Sequence, residues 1–150
     1  MNKSARDQLR SVLNAANVGF EECEDSHKAD RSVAVFHIRE NERRCDDITL
    51  RLTDDILILW VVDGWVDDQP GIGDAYHDFC SRWTKDNPGY SAHLLNPFKE
   101  SGAAPACKVT YPIPATRHEM KRLLLERILG TDLAKAISCC HEIKNRGSRT

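Results

Sequence analysis

The feature that most constrains this 150-residue chain is Ile56–Val62, ILILWVV, seven consecutive apolar residues with no polar one among them. A run of this length bounded by turn residues reads as a strand, and apolar side chains at every position mean that both faces want cover. It is far too short to span a bilayer. It sits inside Ile48–Trp65, where Ile48, Leu50 and Leu52 alternate with Thr49 and Arg51 before the polar turn Thr53-Asp54-Asp55. That alternation predicts a second strand with one wetter face, joined to the first as a hairpin. The chain is organised around a sheet centre, and residue chemistry alone supplies no reaction.

The flanking sequence builds outward from that centre. Leu9, Val12, Leu13 and Ala16 recur at helical spacing, with Ser4 as the expected N-cap and Gly19 as the expected left-handed C-cap. Phe20 to Glu24 is a short strand candidate. Ser32 to Arg39 is a stronger one, placing Ala34, Phe36 and Ile38 on one face and Val33, Val35 and His37 on the other. The charge-dense 40–47 segment is expected to be a solvated hairpin loop. Asp74 to Asp86 has helical spacing through Ala75, Phe79 and Trp83, and Asn87-Pro88-Gly89 stops it.

Two further strands are predicted at Tyr90–Leu95, ended by Asn96-Pro97, and at Cys107–Ile113, with a turn or loop at 99–105 between them. Thr116 and Glu119 form a capping box for a last helical region, in which Gly130-Thr131-Asp132 is expected to kink or interrupt the helix and Asp132 to cap its renewal. The order helix, four strands, helix, two strands, helix predicts an α+β fold with a helix-flanked antiparallel sheet. One domain over 1–144 with a polar basic tail over 145–150 accounts for the whole length.

Composition removes several function classes. A formal net charge of −2 gives no general attraction to nucleic acid or to an anionic membrane, so neither is an expected partner. The opening residues MNKSARDQLRSVLNAANVG lack the apolar core of a signal peptide, and the cytoplasm is the expected compartment. The six cysteines (Cys23, Cys45, Cys80, Cys107, Cys139 and Cys140) include no C-x-x-C pair and are expected to be reduced, mostly buried thiols.

The order of elements and several motifs resemble the YbjN family, whose members share the type III secretion chaperone-like fold. The resemblance rests on the hydrophobic strand leading to a tryptophan, the aromatic helix AYHDFCSRWTKDN, the strand PGYSAHLL, the strand CKVTYPI and the capped helix opening TRHEM. It implies a small non-enzymatic protein with a regulatory or chaperone-like role, no catalytic residue and no cofactor.

Three functions compete at this level. The leading expectation is a non-catalytic interaction protein that binds a protein or peptide segment through its sheet or forms a homodimer, with Phe36, Ile38, Ile58, Trp60 and Trp65 as contacts. The second is a small metal-dependent hydrolase using Asp63, Asp67, Asp68, Asp74 and His77, carboxylates and an imidazole able in principle to hold a divalent cation and activate water. The spacing of these acids matches no calcium loop, and Asp and Gly are also ordinary turn formers. The third is a thiol redox regulator using Cys139 or Cys140.

Overall fold

A computed structural model describes residues 3–23, 34–39, 45, 47–64, 72–98 and 102–147. In chain order these form α1 (Lys3–Ala15), β1 (Phe20–Cys23), β2 (Ala34–Ile38), β3 (Asp47–Leu52), β4 (Ile56–Val62), α2 (Ile72–Asp86), β5 (Tyr90–Phe98), β6 (Gly102–Pro112), α3 (Arg117–Arg122) and α4 (Leu133–Gly147). A π-helical stretch, Leu123–Asp132, joins the last two helices without a break. The six strands make one antiparallel sheet in the order β1-β2-β3-β4-β6-β5, so β4 is internal and β1 and β5 are the edges.

Burial along β4 alternates residue by residue. Leu57, Leu59 and Val61 are fully buried, while Ile56, Ile58, Trp60 and Val62 are only partly so. Register carries the buried set across the sheet: Phe36 lies opposite Leu50, Leu50 opposite Leu59, and Leu59 opposite Val109. The helices pack on this same face. Helix α4 lies against β4 and β6, α2 against β5, and α1 against α3. Leu9 and Leu13 of α1, Met120, Leu124 and Ile128 of the π-containing helix, and Ile137 and Ile143 of α4 all enter one core with the strand residues.

Polar contacts fix the helices over the strands. Glu22 of β1 points to the helical side and accepts from both Arg6 and Arg10 of α1, the Arg10 Nε lying 2.7 Å from Oε1. On the far side, Asp132 is buried and accepts from two phenols, Tyr90 Oη at 2.5 Å and Tyr111 Oη at 2.7 Å. Both tyrosines are held well above their usual pKa, by burial first and by Asp132 second. Lys135 caps the Tyr90 ring at 4.5 Å and Arg127 the Tyr111 ring at 5.3 Å.

The π stretch has a packing reason. Met120, Leu124, Ile128 and Asp132 are all buried at intervals of four. In an α-helix each such step drifts by about 40° around the axis, which would rotate Asp132 out of reach of the tyrosines. Wider i→i+5 turns offset that drift. Asp132 is therefore not the cap of a renewed helix, as its position after Gly130-Thr131 suggested. It is a buried tether inside a continuous one.

Three other local expectations change. Helix α1 ends in a Schellman motif with Asn17 in the left-handed position (φ 56°), its N–H donating to Asn14 O and that of Val18 to Leu13 O. Gly19 is not the cap. Strand β5 runs through Asn96-Pro97 to Phe98, with a register irregularity after Leu95; an edge strand tolerates a proline because no neighbour needs its missing N–H. Residues Gly102–Pro105 belong to β6 and not to a loop, and Pro105 serves as an acceptor for the Asp63 N–H at 2.9 Å. Thr116 is the N-cap, its Oγ1 accepting from the Glu119 N–H at 3.1 Å, while the Glu119 carboxylate reaches back one residue further than a capping box requires and accepts from the Ala115 N–H at 3.1 Å.

The α1–β1 clamp gives a pH-dependent test. Hydrogen bonding from Arg10, opposed in part by burial and reinforced by Arg6, holds the Glu22 carboxyl below its ordinary value of 4.5. A carboxyl with a depressed folded-state pKa contributes stability that is present above the unfolded value and is lost as pH falls through the folded one. Urea unfolding should therefore find Glu22→Gln less stable than wild type by about 1–2 kcal/mol at neutral pH. That gap should stay level down to about pH 4.5 and close as acid protonates Glu22.

Candidate functional site

All the described helices lie on one side of the sheet, and among the described residues no helix packs on the other face. Its rows follow from the strand register. Thr49, Trp60, Lys108 and Ser91 lie side by side across β3, β4, β6 and β5; Arg51, Ile58 and Thr110 form the next row; Asp47, Val62, Ala106 and His93 form a third. The apolar ridge of the face is the second set of β4 residues: Ile56, Ile58, Trp60 and Val62. Thr49 and Ala106 are fully buried beside this ridge, so the large side chains already shield their small neighbours.

Trp60 is the largest member of the ridge. Its ring sits 5.6 Å from that of His93, tilted at 45°. His93 Nε2 is 2.7 Å from Ser91 Oγ, two residues away on the same face of β5. Burial, and secondly the charge of Lys108, lower the His93 pKa and favour the neutral ring. A Ser–His contact is the beginning of a nucleophile. Among the described residues, however, no carboxylate is hydrogen-bonded to His93 to orient it, and the pair supports no catalytic assignment.

The sheet turns at this edge into a groove of about 500 Å³ between α2 and β5, lined by His77, Cys80, Ser81, Thr84 and the Ser91–Leu94 segment. The edge of β5 is partly closed to another strand there. The Ala92 N–H donates to Thr84 Oγ1 at 2.9 Å, and the Tyr90 N–H to Asn87 O at 3.1 Å. A groove whose edge donors are already used offers little for β-strand addition.

The five residues expected as partner contacts separate by face. Ile58 and Trp60 stand on the partly buried ridge, on the face away from the described helices. Phe36 is fully buried and Ile38 packs against the core, both on the helical side. They share a strand face with each other but not with Trp60, because the pairing of Phe36 with Leu50 and of Leu50 with Leu59 sets them on the odd-numbered side of β4. Phe36 therefore cannot touch a partner in the folded chain. Trp65 lies outside the described residues.

The acidic segment does not assemble into a cation site within the described residues. Asp63 is buried at the end of β4; its Oδ1 accepts from the Gly64 N–H at 2.8 Å, and its Oδ2 faces His141 Nε2 at 3.5 Å and Lys144 Nζ at 3.6 Å on α4. His77 is exposed and lines the α2–β5 groove instead. Asp67, Asp68 and the Asp74 side chain lie outside what is described. No group of three or more His, Cys, Asp or Glu able to hold a metal ion occurs among the described residues. The link between Asp63 and α4 was invisible in sequence because 78 positions separate Asp63 from His141.

Four cysteines converge beneath α4. Cys80, Cys107, Cys139 and Cys140 are all buried in one core, with Cys140 Sγ 3.7 Å from Val61 O. Burial pushes the Cys80 thiol up to about 11 and Cys140 higher still, while a hydrogen bond with Cys107 followed by burial raises Cys139. Thiols held protonated away from solvent are poor nucleophiles, which argues against the redox reading.

No protein-family model matches the sequence, and none of the curated proteins does. The solved structures do provide a likeness. The crystal structure of YbjN from E. coli, described as a proposed transcription regulator, superposes with a TM-score of 0.59 over 92% of this chain and 86% of that one, at 12% sequence identity. The fold is YbjN-like. The resemblance carried by the strand and helix motifs thus holds at the level of architecture, with the α+β order and the antiparallel sheet both in place. Within this YbjN-like fold no described helix is long and apolar enough to cross a membrane.

Thiol chemistry tests the cysteine placement. A disulfide-exchange reagent applied to the native protein should label Cys23 and Cys45, which are partly exposed, and leave the four core thiols unreacted until urea unfolds the chain. Rapid native labelling of Cys139 or Cys140 would restore the redox reading.

Proposed function

We propose that this is a non-catalytic interaction protein that holds a partner segment against the uncovered face of its sheet. The observation that carries the reading is the alternation along β4: one set of its apolar side chains is fully buried under the helices, and the other set keeps partial exposure. An apolar ridge on a sheet face is a docking surface in waiting, since covering it removes apolar area from water at about 25 cal/mol per Å². Trp60 is its natural anchor, as large aromatics at the centre of an interface contribute most of the binding energy. The YbjN-like fold is consistent with a regulatory role exercised by binding, because the E. coli neighbour is described as a regulator and not as an enzyme.

Homodimerisation is the competing use of the same ridge. A second copy of the chain would cover Ile58 and Trp60 as effectively as a foreign segment, and light scattering on a sizing column separates the two.

Photo-crosslinking from position 58, with position 138 on the exposed side of α4 as the control, tests the site in cell extract. The reading expects adducts from position 58 that Trp60→Ala weakens by about 2 kcal/mol, roughly thirtyfold in affinity. Equal crosslinking from both positions, or adducts indifferent to Trp60, would remove it.

A further inference from the structure

We infer that docking on this face is proton-gated by His93: a segment laid over Trp60 is held while the imidazole is neutral and let go when it takes a proton. The inference rests on the sheet-face reading above and adds the regulation of that site. Its geometric basis is one contact. The His93 ring lies 5.6 Å from that of Trp60, the anchor of the ridge, and is itself only partly buried. A segment that covers Trp60 therefore takes water from His93 as well, and a buried imidazole resists a charge.

Among the described residues, the surroundings of His93 oppose that charge. On β6, Ala106 lies opposite His93 and Lys108 opposite Ser91, so the lysine is the diagonal neighbour of the ring. On β4, Trp60 and Val62 carry no charge. From α2, His77 and Cys80 line the groove that His93 shares; burial, then Cys107, pushes the Cys80 thiol up to about 11, so it stays uncharged through the neutral range. The acid in the same row, Asp47 on β3, meets His37 at 3.3 Å. It stands three strands from His93, about 14 Å and beyond a Debye length of about 8 Å.

Ser91 does not decide the protonation state. Its Oγ is 2.7 Å from His93 Nε2, and a hydroxyl donates to the neutral ring nitrogen and turns to accept from the protonated one. The hydrogen bond keeps the ring beside Trp60 in both states, and only the charge changes.

Burial, then Lys108, already holds His93 below its ordinary value of 6.5 in the free protein. Covering the ridge removes more water and lowers it further. Proton uptake then favours the free protein over the complex, so affinity is full at neutral pH and falls below about pH 6.5, by at most about tenfold per pH unit. An imidazolium also attracts the indole face, and so competes with the partner for the same ring.

Short peptides selected by phage display on wild type and not on Trp60→Ala supply the probe. One without His, Asp, Glu or Cys, carrying a rhodamine label, does not itself titrate in the range used. Fluorescence anisotropy between about pH 7.5 and about pH 5 should show a loss of affinity of about threefold or more on wild type. His93→Phe keeps a ring beside Trp60 but takes no proton, and its affinity should change by less than about twofold over that range. His93→Gln is the second variant, and circular dichroism at both ends of the range checks that each folds. His37, two strands from Trp60, and His77 remain in both variants, so a pH effect of theirs would persist there.

Affinity on wild type that stays level or rises toward acid, or a loss that His93→Phe or His93→Gln retains, would overturn gating by His93 while the Trp60 dependence kept the sheet-face reading intact. A selection in which no peptide depends on Trp60 would overturn both.

Discussion

The rest of the molecule depends on a strand that is apolar on both faces and has the described helices on only one. Leu57, Leu59 and Val61 satisfy half of β4 by entering the core. The helices cannot satisfy the other half, because α1, α2, α3 and α4 all reach the same side of the sheet. Their anchors enforce this. Glu22 draws α1 down on the helical side of β1, Asp132 draws the last helix onto Tyr90 and Tyr111, and Asp63 meets α4 at the end of β4.

These anchors are charged or strongly polar groups placed where burial makes their pairing decisive. A buried Asp132 without its phenols, or the buried Tyr111 hydroxyl without Asp132, would leave a polar group with no partner at a cost of roughly 1–3 kcal/mol. That requirement makes the π stretch intelligible, since it is the helical geometry that delivers Asp132 to both hydroxyls while Leu124 and Ile128 stay in the core. Packing and polar satisfaction thus fix the helical layer and, by exclusion, leave the ridge of Ile56, Ile58, Trp60 and Val62 at the opposite surface.

Much of this architecture was legible in the sequence. The apolar run, the hairpin turn at Thr53, the Thr116 N-cap and the Asn87-Pro88-Gly89 stop act over a few residues, and local chemistry determines them. What could not be read locally depended on register. Phe36 and Trp60 look equally suited to a surface contact, and only the pairing of β2 with β3 and of β3 with β4 puts one inside and the other on the open face. The role of Asp132 was hidden for the same reason, as its partners lie 42 and 21 residues away. Lys108 carried no motif in sequence; it comes to lie beside Trp60 only once β6 is known to neighbour β4.

The central claim is that neighbouring residues of one strand live in opposite environments. Hydroxyl-radical footprinting with peptide mass spectrometry reads this directly, at a dilution where light scattering reports single chains. Ile58 and Trp60 should oxidise readily in the native protein, while Leu57 and Leu59 should remain protected until denaturant unfolds the chain. Equal protection of all four would mean that the second face of β4 is covered within the chain itself, and would contradict the account.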